Sequence, residues 1–170
     1  ADATTAGRNV QATAQNDIAL KTTQAGGNIA LDAGRDLTAD DSTAGGTLTA
    51  KAGQKLTLGT AQSGGDMQLD AVGDLLTGTL KSTGASIYAT STDGNIDAGS
   101  TTAALDVIFN TPQGSITADA TTAGRDFSAT AKKDIKVNQA KANNLMSLVS
   151  VQGAIDAGTL DADWLRLSAL

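Results

Sequence analysis

Gly26-Gly27-Asn28-Ile29-Ala30-Leu31-Asp32-Ala33-Gly34-Arg35-Asp36-Leu37 carries two large apolar residues, Ile29 and Leu37, each set just behind a group of turn-forming residues. Sliding this stretch along the chain extends both residues into series. The first reads Val10, Ile29, Leu48, Met67, Ile87, Val107, Phe127, Met146 and Leu165, in steps of 19 or 20 residues. The second reads Ile18, Leu37, Leu56, Leu75, Ile96, Ile116, Ile135 and Ile155, in steps of 19 to 21. Two registers that keep pace over the whole chain mark an internal repeat, and a fixed period of this length is the mark of a stacked architecture.

Each series opens a run that alternates with period two, the pattern of a strand with one buried face. Two residues beyond the first series stand Ala12, Leu31, Ala50, Leu69, Ala89, Phe109, Ala129, Leu148 and Leu167. Small and large residues take turns along most of this column, which fills a narrow interior if the repeats lie on top of one another. Two further on, Ala14, Ala33, Ala52, Ala71, Ser91, Thr111, Ala131, Ser150 and Ala169 stay small, as a corner requires. A third inward pair of columns follows the second series, from Thr23/Ala25 and Ser42/Ala44 to Thr121/Ala123 and Ala140/Ala142. Gly7, Gly26, Gly45, Gly64, Gly84, Ala104, Gly124, Asn143 and Ala162 precede the first series by three positions. Gly and Asn accept positive φ at low cost, so this place is expected to be the sharpest turn.

The expected fold is therefore all-β: a right-handed parallel β-helix, or solenoid, with three short strands per coil and about 8–9 coils of 19–21 residues. The hand follows from the preference of parallel crossovers. Residues 1–170 read as a single β-helix segment, about 40 Å long at ~4.8 Å per coil. The chain begins and ends in mid-repeat, so it is expected to be a piece of a much longer rod, with adjoining coils as its partners.

Composition narrows the chemistry. All 18 acidic residues are Asp, aromatic residues make up 2% of the chain, and there is neither Cys nor His. Disulfides, thiolate metal sites and the commonest general base are thereby excluded. A net charge of −6 argues against a nucleic-acid partner, because phosphate binding needs clustered Lys and Arg. No apolar stretch approaches the ~18 residues of a membrane span.

Residues 26–38, Gly-Gly-Asn-Ile-Ala-Leu-Asp-Ala-Gly-Arg-Asp-Leu-Thr, and residues 44–58, Ala-Gly-Gly-Thr-Leu-Thr-Ala-Lys-Ala-Gly-Gln-Lys-Leu-Thr-Leu, resemble the repeats of filamentous haemagglutinin. Such repeats occur in large exoproteins that Gram-negative bacteria export by two-partner secretion, among them adhesins and contact-dependent growth inhibition sticks. The resemblance extends over nearly the whole chain. It implies a right-handed parallel β-helix, export through an outer-membrane two-partner transporter, and a place outside the cell or on its surface. No secretion domain or toxin domain of that family is recognisable, and the segment is expected to be shaft rather than tip.

Four sets of residues invite a chemical reading. Asp17, Asp36, Asp74 and Asp134 share a column with Lys55, Asn95, Ser115 and Ala154. Stacked carboxylates can bind Ca²⁺ through oxygen ligands. The plainer reading, which the single turn position favours, has each Asp bonded to nearby backbone N–H groups. Pairs such as Asp40–Asp41, or Asp97 with Asp74, have the residue types of a glycan-cleaving acid and base. A β-helix enzyme also needs long loops to wall a cleft, and no coil here exceeds the shortest by more than two residues, so no catalytic residue, metal or cofactor is expected. Arg125, Lys132, Lys133, Lys136 and Lys141 crowd one repeat against Asp126 and Asp134, a candidate surface for an anionic glycan, a membrane surface or a receptor on a host or neighbouring cell, against the plainer reading of a solvated face. Trp164, the only Trp, is expected to point outward beside Leu145, with Ile108 and Val149 also outward, as a docking stripe or a contact with more of the parent chain. The outward positions Asn9, Asn28, Thr47, Asp66, Ser86 and Asp106 are too mixed to form an ice-binding Thr ladder.

Overall fold

Every apolar run of the repeat is a strand, and the computed structural model, which describes residues 1–170, contains no helix. In chain order the strands are β1 (Ala3–Ala6), β2 (Val10–Ala14), β3 (Ile18–Ala25), β4 (Ile29–Ala33), β5 (Leu37–Ala44) and β6 (Leu48–Ala52). They continue as β7 (Leu56–Ser63), β8 (Met67–Ala71), β9 (Leu75–Ser82), β10 (Ile87–Ser91), β11 (Ile96–Ala103) and β12 (Val107–Thr111). The last are β13 (Ile116–Ala123), β14 (Phe127–Ala131), β15 (Ile135–Ala142), β16 (Leu145–Ser150), β17 (Ile155–Asp161) and β18 (Trp164–Ala169). Odd and even strands form two separate parallel sheets of nine strands each, in unbroken sequence order. The molecule is a β-solenoid of about nine turns.

Register is set by the repeat. Ile29 pairs with Leu48, Leu48 with Met67, and Leu31 with Ala50, so side chains one repeat apart lie directly over one another. The alternating column is buried from Leu31 to Leu148, and the T-shaped pair Phe109–Phe127, with ring centroids 5.8 Å apart, fills the interior between two coils. One apolar cluster of 39 buried residues runs the length of the rod.

Three inward faces are carried on two ladders. From β3 to β15 the second and third runs of each repeat join into one eight-residue strand with a bend in the middle. In β5, Leu37 and Ala39 face inward, Asp40 and Asp41 both face out, and Ser42 and Ala44 face inward again. One added residue reverses the phase of a period-two strand. Pairing passes over it: Ala39 is matched with Leu58 and Asp41 with Thr60, while Asp40 has no register partner. The third wall is the least apolar of the three, with Thr23, Ser42, Thr101 and Thr121 buried along it.

The glycine column serves a different purpose from the one expected. No residue in the chain, glycine included, has a positive φ. In the coils of Gly26 and Gly45 glycine is favoured by the close approach of the preceding coil, although Ala104 shares the column further along. A Cβ on Gly26 would lie 2.4 Å from the carbonyl oxygen of Gly7, and one on Gly45 would lie 2.2 Å from that of Gly26. Asn143 occupies the same column by a different route, since its side-chain Nδ2 donates to the carbonyl of Gly124 at 3.0 Å.

Turn length is coupled to one hydroxyl. Most turns between strands have three residues, and an Ala closes the strand before nearly all of them. Four turns have one residue more: 83–86, 92–95, 112–115 and 151–154. The residues before them are Ser82, Ser91, Thr111 and Ser150, all buried. Each hydroxyl accepts an N–H from three residues ahead, from Ala85, Gly94, Gly114 and Gly153, at 2.9–3.2 Å. Each also donates to a carbonyl of the coil below, on Gly65, Gly73, Gly94 and Lys133, at 2.7–2.8 Å. The longer turn leaves one extra N–H pointing inward, and the hydroxyl satisfies it where an alanine leaves it unpaired.

Replacing Leu69, which is fully buried, by Asp is expected to cost several kcal/mol or to force the carboxyl to stay protonated, measured by urea denaturation as a function of pH. Thr111→Val keeps shape but strands two backbone groups, for an expected loss of about 1–3 kcal/mol, whereas Thr111→Ser should be nearly neutral. Equal losses for the two variants would contradict the hydroxyl's role.

Candidate functional site

The acidic column is a ladder between coils. Asp17 Oδ1 accepts the backbone N–H of Asp36 at 3.2 Å, and Asp36 Oδ1 accepts that of Lys55 at 3.1 Å. Higher up, Asp74 accepts from Asn95, Asn95 from Ser115, and Asp134 from Ala154, each at 2.9 Å. The bond is made to the next coil, one repeat away, rather than within the residue's own turn. Arg35 adds a two-pronged contact to Asp17, at 3.0 and 3.1 Å, and this side-chain bond, followed by the Asp36 N–H, lowers the Asp17 carboxyl below its ordinary range. No three acidic groups converge in the way a cation would require.

A second ladder of the same kind lies at the other turn, in the column that looks merely mixed in the sequence. Asn9 Oδ1 accepts the N–H of Asn28, Asn28 that of Thr47, and Asp66 that of Ser86, at 2.8–3.0 Å. Ser86 Oγ accepts from Asp106, and Asp126 from Leu145. The signal that could have found it is the position itself: Asn, Asp or Ser one residue before an apolar strand start, on both turns of most repeats.

Asp106 is the one carboxylate buried in this ladder, with its side chain 10% exposed. Arg125 Nε donates to its Oδ1 at 2.7 Å, and Nη2 reaches Oδ2. That guanidinium contact is the main cause holding the Asp106 carboxyl below the usual carboxylate range, against the opposing pull of burial. Arg125 is therefore a structural counter-charge.

The five cations do not form one patch. Arg125 lies in the turn before β14, bonded to Asp106 and 3.6 Å from Asp126. Lys132 and Lys133 lie in the turn after β14, and Lys132 Nζ donates to Gln113 Oε1 at 2.7 Å. Lys136 points outward from the first half of β15, and Lys141 from the second half, where it pairs with Asp161 at 3.1 Å. They are distributed around the coil's perimeter. Trp164 is outward and 72% exposed, beside a partly exposed Leu145, while Ile108 and Val149 are outward but half-buried. Leu165 and Leu167, which belong to inward columns, are about half exposed on the last coil.

Asp40 and Asp41 stand side by side at the bend of β5, both facing solvent, and Asp74 is already committed to the ladder. Five surface depressions, of about 170 to 350 Å³, are all open to solvent. None brings two carboxylates and an apolar recess together as an enclosed site. No known protein family, curated protein or solved structure matches the chain.

If the acidic column is a ladder, Asp36→Asn retains the acceptor and should be close to neutral. Asp36→Ala should cost about 0.5–1.5 kcal/mol, and added Ca²⁺ should leave the denaturation midpoint of the parent chain unchanged. A calcium-dependent rise in stability would restore the metal reading. Asp106 has a lowered folded-state pKa, so its contribution is complete above the unfolded value of about 3.9 and is lost as pH falls through the folded value. Asp106→Asn cannot titrate, and its stability should therefore fall less steeply than the parent's between about pH 5 and about pH 2.

Proposed function

We propose that this segment is a structural shaft of a large bacterial exoprotein, a rod that holds a functional tip away from the cell that carries it. The observation that supports this reading best is continuity. Two parallel ladders run through all nine turns without an interruption, and no connection differs from the equivalent one in an adjoining coil by more than one residue. Such a rod has a length set by the number of coils and no wall high enough to enclose a substrate. Hydrogen bonds parallel to the axis and a continuous apolar interior oppose bending and extension. The resemblance of residues 26–38 and 44–58 to filamentous haemagglutinin repeats adds the setting: export through a two-partner transporter of a Gram-negative outer membrane, and a place on the cell surface or beyond it. In that setting the segment supports adhesion or the presentation of a toxin.

A shaft depends on its inward columns and ladders and is indifferent to its outward side chains. Exchanging the outward residues of several central coils, with every inward column kept, separates it from a receptor-binding module. Beads coated with the parent chain and with the exchanged chain are expected to bind host or bacterial cells equally weakly. Selective cell binding by the parent that the exchanged chain lacks would overturn the shaft reading.

A further inference from the structure

One boundary between coils is joined by fewer bonds than the rest. A turn that leads from a short strand to a long one is tied to the coil below by two backbone N–H groups. Gly53 and Gln54 donate in this way to Ala33 and Arg35, and Val151 and Gln152 to Ala131 and Lys132. Every such turn above the first coil follows the pattern except 112–115. Pro112 has no N–H to give, and the Gln113 N–H finds no acceptor in the turn 92–95 beneath it. Strand pairing retreats at the same place. β10 and β12 are matched only from Ile87–Val107 to Thr90–Asn110, whereas every other neighbouring pair of short strands is also matched at the residue before the turn. The bonds that cross at this turn use side chains. The Thr111 hydroxyl donates to Gly94 O at 2.7 Å, and Asn95 Oδ1 accepts the Ser115 N–H at 2.9 Å.

A second fault lies across the same boundary, on the third wall. Thr101 of β11 and Thr121 of β13 are register partners, both are buried, and neither hydroxyl has a hydrogen-bond partner in the protein. A buried hydroxyl left in this state weakens the contact that encloses it. Thr23 and Ser42 repeat the fault between β3 and β5, but there the turn keeps both of its backbone bonds, from Gly34 and Arg35. The two faults coincide only between β10–β11 and β12–β13. The aromatic packing adds to the asymmetry: Phe109 meets Phe127 in the coil above and only Ala89 in the coil below.

In a solenoid each coil touches only its neighbours, so the weakest interface decides where the rod divides into cooperative units. We propose that the rod opens first at this boundary, as a hinge between a lower block that ends with β11 and an upper block that begins with β12. The blocks stay folded while the coils part on the side of the 112–115 turn, and the turn 104–106 joins them. The inference does not rest on the shaft reading, because a rod of any function can carry such a hinge.

The test is native-state hydrogen exchange of the 170-residue chain, followed by NMR at several urea concentrations below the unfolding transition. Two amides report the boundary directly, since Ile87 N–H donates upward to Asp106 O and Ile96 N–H to Ser115 O. Their equivalents inside the blocks are Leu48 and Leu56 below, and Val107 and Ile116 above, which donate upward in the same way. Ile87 and Ile96 should exchange about tenfold faster than these four, with a weaker dependence on urea. A Thr101→Val/Thr121→Val variant removes the orphaned hydroxyls, and Pro112→Ala restores an N–H. Each should slow Ile87 and Ile96 about threefold or more and leave Leu48 and Leu56 unchanged. Thr23→Val should not alter Ile87 or Ile96. The same spectra report whether each variant is folded. Equal exchange at all six amides, exchange that depends only on distance from the rod's ends, or unaltered Ile87 and Ile96 in the Thr101→Val/Thr121→Val variant would each overturn the proposal.

Discussion

Parallel pairing without offset is the constraint from which the structure follows. Each strand lies beside its own equivalent in the next coil, so every residue must tolerate a near-copy of itself one strand spacing away. Inside, this demands a shared volume: Leu31 beneath Ala50, Ala50 beneath Leu69, Ala89 beneath Phe109. At the turns it demands an acceptor of the right reach. The Oδ of Asp or Asn just spans one coil to the N–H above it, as Asn9, Asn28, Asp36 and Asp74 do.

Much of this is legible in the sequence, because the signal is repeated. Nine copies average out local noise, and the inward columns read from Ile29, Leu31 and Ala33 hold through most of the chain. What is not legible is whatever depends on contact between coils. The glycines at 26 and 45 read as positive-φ turns, when in fact a carbonyl from the coil below excludes a side chain. Ser91, Thr111 and Ser150 read only as small corner residues, although the irregular steps of the second series fall where these residues stand, because a longer turn and its hydroxyl come together. The five cations from Arg125 to Lys141 read as a cluster because they are close in sequence. A coil that turns through the whole cross-section in one repeat distributes them around it.

The same geometry determines where function can reside. A solenoid of uniform coils gives each side chain two close neighbours above and below and solvent on one side. Recognition must then come from columns of outward residues or from grooves beside the turns, and a one-residue change in turn length alters the local relief. The basic repeat illustrates this: its Arg125 is used internally with Asp106 and its Lys141 with Asp161, whereas Lys132 meets the neutral amide of Gln113 and keeps its charge free.

Two unbroken ladders also change what a cut does. A globular domain severed in a loop can shed the freed piece once its few contacts fail. Here a protease that opened the turn between β14 and β15 would sever one coil, yet each end of the break would remain clamped by hydrogen bonds to the coils on either side. Chain continuity and mechanical continuity are separate properties in this rod, and the second survives the loss of the first.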